Sequence, residues 1–348
     1  MIKIRTLALF ALASTLLVPS SALAQGSGIA QQIANSPHMG LRHAAITVSD
    51  IDATVAFYSK AVPYKVVKRF RVRGSAFPGA LLSRHHRDVE IALVAMPTGF
   101  IQLMDFDPGK SAAPNPRPII GPGYTHICFQ SSSSDPAIKR FMAAGLSIIS
   151  RFGKPDGVDL GGYGVRYAYG RDPDGIMIEN ESLDKPKRNE AAWITHIANV
   201  VNDRDAMLIF YEKLLGRKAH RTTQQENRPT FDDVVNIDNL AIKGAWFNVG
   251  NMELEVWEYT RPKTPAPNGD RKLDEIGYNS FALEVADLKA ELARLKTLGI
   301  RLAGPAMAMG GWNVQYAIDP EGNLFSVQQN MTAGPAESVT SFIPTAAP

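Results

Sequence analysis

The chain has one cysteine, Cys128, in 348 residues. A single thiol excludes an intrachain disulfide in any redox compartment, so the fold has to be held by its core. Charge of one sign is also scarce: 37 Lys and Arg stand against 34 Asp and Glu, a formal net charge of +3. With no run of Lys or Arg, this balance gives no footprint for nucleic acid. Only one long apolar run exists, Leu7 to Val18. It is too short to span a bilayer comfortably, and no second run follows, so no membrane span is expected in the mature protein. Lys3 and Arg5 precede the run and Ala22-Leu23-Ala24 follows it. That order of basic start, apolar middle and small cleavage-site residues reads residues 1–24 as a secretory signal peptide. The mature chain is then exported, periplasmic or secreted, and starts at Gln25. No cysteine stands at the cleavage point to carry a lipid.

What remains is rich enough to bury a core. The chain is 45% hydrophobic and 20% charged, the balance of a globular protein of about two domains. Four segments open alike: Leu41-Arg-His-Ala-Ala-Ile-Thr-Val-Ser-Asp50, Tyr124-Thr-His-Ile-Cys-Phe-Gln130, Ile194-Thr-His-Ile-Ala-Asn-Val-Val-Asn-Asp203 and Tyr278-Asn-Ser-Phe-Ala-Leu-Glu-Val-Ala-Asp287. Each is a short apolar strand pattern. Helical spacing follows over Ile51 to Ala61, Arg204 to Leu215 and Leu288 to Leu298, with Asp50, Asp203 and Asp287 at the N-cap positions. In the second copy, Asp135-Pro136 opens the helix. Asp172-Pro-Asp-Gly175 and Asp319-Pro-Glu-Gly322 are turns between two strands.

This punctuation predicts an α+β protein of four βαβββ modules. Pro-rich connectors, Gly109 to Gly123 and Arg261 to Glu275, lie inside each half of the chain, and Leu183 to Ala192 links the halves. The expected domains are 40–183, with modules at about 40–108 and 123–183, and 193–330, with modules at about 193–260 and 277–330. Residues 331–348 are small and polar and are expected to form a loose tail.

A strand-one His, then Asp-(Ile/Leu), a helix with Phe-Tyr and a closing Asp-Pro-(Asp/Glu)-Gly strand together resemble the vicinal oxygen chelate superfamily of glyoxalases, bleomycin-resistance proteins and dioxygenases. The resemblance runs from about Gly40 to Gln329. It implies that two modules pair into a curved sheet around a metal cleft, each giving one ligand from its first strand and one from its last. Carried over to the first half, those positions are His43, Gln102, His126 and Glu179, with Gln102 in Phe100-Ile-Gln-Leu-Met104 and Glu179 in Gly175-Ile-Met-Ile-Glu179. Such donors suit one divalent ion: Zn²⁺, Ni²⁺, Co²⁺, Mn²⁺ or Fe²⁺. The second half offers His196 and Glu255, but Ser280 and Ser326 at the fourth module's positions. It is expected to be degenerate, with His196 and Glu255 merely hydrogen-bonded to each other or to water.

The resemblance implies Lewis-acid lyase or isomerase chemistry on a small substrate with vicinal oxygens, Glu179 also taking a proton. Glu90 is a second base candidate. The alternatives are a non-haem Fe(II) dioxygenase using His43, His126 and Glu179, and a binding protein without catalysis. Counting back across the Asp172 to Gly175 turn pairs Ala168 with Glu179 and Arg166 with Glu181, which would turn Arg166 into the cup toward a substrate carboxylate, or simply against Glu181. The same count places Gln315 opposite Ser326. A homodimer is left open.

Overall fold

The computed structural model describes residues 36–342, apart from 110–113, 115 and 152–155. The expected signal peptide, 1–24, lies outside the described residues.

Each module is one strand, a helix and a meander of further strands, as the repeat predicts. Module one runs β1 (Gly40–Thr47), α1 (Ile51–Tyr58), β2 (Lys65–Arg73), β3 (Asp88–Met96) and β4 (Gly99–Asp105). Module two runs β5 (Gly123–Ser132), α2 (Ala137–Ala144), β6 (Ser147–Ile148), β7 (Val158–Asp159), β8 (Val165–Arg171) and β9 (Met177–Leu183). Module three runs β10 (Trp193–Val200), α3 (Arg204–Leu215), β11 (Arg221–Glu226), α4 (Pro229–Val235), β12 (Ala241–Asn248) and β13 (Glu253–Arg261). Module four runs β14 (Gly277–Val285), α5 (Leu288–Thr297), β15 (Arg301–Leu302), β16 (Met307–Met309), β17 (Trp312–Ile318) and β18 (Leu324–Asn330). The Asp50, Asp203 and Asp287 side chains accept backbone N–H bonds in the first turns of their helices. In α2 that role falls to Ser131, whose hydroxyl accepts from the Ala137 N–H.

The modules do not pair in chain order. Among the described residues there are two nine-stranded sheets, and each joins modules from both halves of the chain. One runs β15-β17-β18-β14-β1-β4-β3-β2, joining modules four and one through antiparallel β1 and β14. The other runs β11-β12-β13-β10-β5-β9-β8-β6, joining modules three and two through antiparallel β5 and β10. The expected domains 40–183 and 193–330 therefore need correction, because each sheet is assembled across the 183–192 linker.

Consecutive modules meet back to back instead. Phe57 and Tyr58 of α1 pack on Phe141 of α2, and Phe210 of α3 packs on Phe325 of β18. The Tyr58 hydroxyl donates to Asp172 Oδ2 (2.9 Å), and the Tyr211 hydroxyl donates to Asp319 Oδ2 (2.9 Å), both bonds buried. The Phe-Tyr and Asp-Pro-(Asp/Glu)-Gly motifs are thus the two sides of one clasp, repeated in each half. One apolar cluster, the largest of three among the described residues, runs between the two sheets through these contacts.

Both turns are one residue longer than the motif suggests. Asp172 N–H donates to Ile176 O and Asp319 N–H to Asn323 O. The Asp172 and Asp319 side chains accept the Ile176 and Asn323 N–H groups, and Gly175 and Gly322 take positive φ of 79° and 85°. The extra residue shifts the register and reverses which side chains share a face. Tyr169, not Ala168, stands opposite Glu179, and Tyr316, not Gln315, opposite Ser326.

The tail expected to be loose from 331 is ordered through Phe342. Two short 3₁₀ turns, Pro335–Glu337 and Val339–Ser341, lay it against β1. Val339 is fully buried, Phe342 packs edge-on against Phe100, and the Ser338 hydroxyl and Val339 N–H donate to Glu284.

Candidate metal centre

In the sheet of modules two and three, four donor residues converge. His126 and His196 come from the first strands β5 and β10, Glu179 and Glu255 from the last strands β9 and β13. The register explains the meeting. Cys128, two residues beyond His126, faces Glu179, and Ala198, two beyond His196, faces Glu255. Both ligand pairs therefore share the concave face. One ligand atom from each residue lies within 4.8 Å of all the others. His196 Nε2 is 2.9 Å from Glu179 Oε2 and 3.1 Å from Glu255 Oε2; His126 Nε2 is 3.4 and 3.5 Å from the same two oxygens.

Donors bound about 2.1 Å from one ion stand roughly 3–4 Å from each other, so this spacing fits a cation at the centre. Two atoms add to the fit. His126 Nε2 and Glu255 Oε2 are buried without a hydrogen-bond partner, which costs free energy unless something else satisfies them. The outer ring nitrogens face hydroxyls: His126 Nδ1 lies 3.0 Å from Thr125 Oγ1 and His196 Nδ1 lies 3.3 Å from Thr195 Oγ1. A hydroxyl accepting from Nδ1–H leaves Nε2 with its lone pair toward the centre. The carboxylates also draw positive charge to this point. Burial pulls both imidazoles down, but the two carboxylates outweigh it and their pKa values end raised. Burial likewise pushes Glu179 and Glu255 up, but the imidazoles hold both below the usual carboxylate range. The carboxylates thus call for two positive charges, and two protons or one divalent cation supply them.

Above the centre opens a cavity of about 880 Å³. Glu179, Glu181, His196 and Glu255 form part of its lining, and Tyr167 and Tyr169 stand on its module-two wall. Glu181 is half-buried and pushed up to about 7, first by burial and then by the charge of Glu179; Gln130 donates to it.

The sequence-predicted set is split between the sheets. His126 and Glu179 meet here, while His43 and Gln102 lie in the other sheet, at the corresponding positions of module one. There the partners are Ser280 and Ser326, so that set holds no carboxylate. Gln328 donates to Ser326, Ser280 donates to Asn279, and Arg42 lies 2.7 Å from His43 Nδ1 while stacking 3.8 Å over Trp312. Burial, and then Arg42, hold His43 well below its usual pKa. The cavity beside these residues is only about 10 Å³. Chain-order pairing therefore grouped residues that lie in different sheets. His196 and Glu255, expected to bond only each other or water, join His126 and Glu179 in one cluster, and their strand positions were the signal.

Two further expectations are corrected. Arg166 is absent from the cavity wall. It is ion-paired to Asp156 and, at 2.6 Å, to Asp184, because the longer turn gives the inward positions to Tyr167 and Tyr169. Glu90 is bound by Arg69 and Arg71 on neighbouring β2 in the other sheet.

Comparison with known proteins agrees with this architecture. Two family models, both described as Glyoxalase/Bleomycin resistance protein/Dioxygenase superfamily, match residues 40–180 and 195–316. The chain belongs to this superfamily. A lactoylglutathione lyase of Schizosaccharomyces pombe is 21% identical over 81% of this chain and 93% of its own length. Glyoxalase I of Saccharomyces cerevisiae is 23% identical over 57% of this chain and 63% of its own. Among solved structures, a mutant glyoxalase I from Zea mays superposes with a TM-score of 0.59 at 17% identity, covering 88% of this chain and 97% of that one. The superfamily member here has a tandem layout and a buried His/Glu cluster able to hold a metal ion.

Proposed function

We propose that the cup of modules two and three holds one divalent metal ion on His126, Glu179, His196 and Glu255, and that the protein is a glyoxalase-type lyase or isomerase. The observation that carries this reading is the convergence of two imidazoles and two carboxylates beneath a large open cavity. The lactoylglutathione lyase and glyoxalase I relatives support the reaction class. A bound divalent ion would supply a Lewis acid for two neighbouring oxygens of a substrate. The chain supplies the rest. Thr125 and Thr195 orient the imidazoles, and burial of the four donors keeps water from competing. Glu179, held as a carboxylate by its imidazole neighbours, has a second oxygen with which to take up a proton beside the substrate.

The dioxygenase alternative would use His126, His196 and one Glu. The second carboxylate favours the lyase or isomerase reading, and oxygen uptake during turnover would reverse that preference. We also propose that the protein works outside the cytoplasm, on the leader pattern of residues 1–24. N-terminal sequencing of secreted or periplasmic material should begin at Gln25; a chain that keeps Met1 in the cytoplasm contradicts export.

The test of the metal assignment is metal content after dialysis. His196→Ala and Glu255→Ala should each lose most of the metal, since a four-donor site rarely survives losing one. His43→Ala and Gln102→Ala should keep it. Retention in the first pair, or loss in the second, refutes the assignment.

A further inference from the structure

The cup of modules four and one presents donors where its sister presents acceptors. Arg42, Gln102 and Trp312 line its small cavity of about 10 Å³, and they are 3%, 3% and 2% exposed. Each has one donor nitrogen that is buried without a hydrogen-bond partner: Arg42 Nε, Gln102 Nε2 and Trp312 Nε1. The rest of Arg42 is firmly placed. Its Nη1 donates to Gln328 Oε1 at 3.1 Å and lies 2.7 Å from His43 Nδ1, and its guanidinium stacks 3.8 Å over the Trp312 ring. A guanidinium can only donate, so His43 Nδ1 accepts and the ring proton sits on Nε2. His43 therefore carries an N–H where His126 and His196 can offer a lone pair. Charge points the same way. Lys68 also lines the cavity, but both oxygens of Glu337 lie 3.0 Å from its Nζ. Among the described residues Arg42 is in no ion pair. Two cations, Arg42 and Lys68, against the one carboxylate of Glu337 leave the lining one positive charge in excess. Burial, the largest influence, lowers the Arg42 pKa only to about 10, so the guanidinium stays charged at neutral pH.

A buried charge without a counter-charge is costly, and so is each buried donor without an acceptor. The cavity has room for about one water-sized guest. A water molecule answers only part of the need, because it accepts two hydrogen bonds, not three, and brings no charge. We propose that this cavity binds one small monovalent anion of chloride size, held by Arg42 Nε, Gln102 Nε2 and Trp312 Nε1. The bound anion also steadies the tail, because Glu337 lines the same cavity. The site lies in the other sheet from the His–Glu quartet, and it stands or falls independently of the metal reading above.

The experiment uses the full mature chain with bromide, which resembles chloride and scatters anomalously. Crystals grown in sodium bromide should show an anomalous peak in the Arg42–Gln102–Trp312 cavity. In solution, the urea midpoint should rise with chloride or bromide and level off, at ionic strength held constant with gluconate, an anion too large for the cavity. Gln102→Glu puts a carboxylate in the anion's place. In that variant the peak should vanish, and the saturating rise should vanish with it. Any general salt effect remains in both proteins and cancels in the comparison. Trp312→Phe keeps an aromatic ring but removes one donor, and should weaken the anion about tenfold or more. It decides the matter if Gln102→Glu does not fold. Three results would overturn the site. One is density in the cavity without anomalous signal, which is a bound water. Another is a peak in the crystal with no saturating rise in solution, which is an adventitious ion only. The third is an equal halide response in the wild type and in every variant that folds.

Discussion

Two buried tyrosines show what single side chains hold in place. Tyr58 and Tyr211 donate across the module boundary to Asp172 and Asp319, carboxylates that otherwise accept mainly from their own turn. Removing one hydroxyl leaves a buried acceptor short of a donor, so Tyr58→Phe and Tyr211→Phe should each cost about 1–3 kcal/mol in urea unfolding. Wild-type stability in either variant would show the clasp to be passive. Asp172 also sets a pH dependence. Burial, the largest influence, pushes it up to about 7 despite the bonds from Ile176 and Tyr58. The folded chain therefore keeps this proton where the unfolded chain has released it. Its contribution is full below about pH 4 and is lost as pH rises toward about 7. Asp172→Asn should flatten that part of the stability profile; an unchanged profile between pH 4 and 7 would show that Asp172 ionises freely in the fold.

At the scale of elements, much was legible because it is local. The family resemblance, carried over residue by residue, named eight positions that stand at equivalent register in the four modules, because alternate residues share a face wherever a strand pairs. The Asp caps located three helix starts to the residue. The register of β8 on β9 and of β17 on β18 was not legible, because one extra residue, held by an Asp side chain, is invisible in a four-residue turn motif. Nor was the seat of the tail, whose few apolar residues matter only once the β1 side of the other sheet exists to receive them. Val339 and Phe342 are its apolar anchors, and Lys68 Nζ pairs with Glu337 Oε1 at 3.0 Å. Ending the chain at Asn330 should lower stability by roughly 2–5 kcal/mol, from burial of these side chains. Metal content should not change, because the centre lies in the sheet of modules two and three. Loss of metal on truncation would link the tail to the centre.

Over the whole molecule, the sequence reading paired modules in chain order, whereas each sheet joins modules from both halves. Repeated punctuation in each half describes the Tyr–Asp clasp equally well as it describes a cup, and only long-range packing decides between them. The decision has a consequence for fragments. Residues 36–186 alone contain His126 and Glu179 but lack His196 and Glu255, so as a monomer they should not hold metal tightly. Mixing with residues 187–348 should restore one ion per pair of fragments, read by sedimentation and metal analysis. A monomeric fragment 36–186 carrying one ion would mean that modules in chain order form the cup after all. The central claim is one metal centre per chain, built across the halves. Anomalous diffraction from crystals grown with Zn²⁺ or Co²⁺ tests it most directly. The account predicts a single strong peak per chain, about 2.0–2.2 Å from His126 Nε2, His196 Nε2 and an oxygen each of Glu179 and Glu255. A peak between His43 and Gln102, or two peaks of equal height, would contradict it.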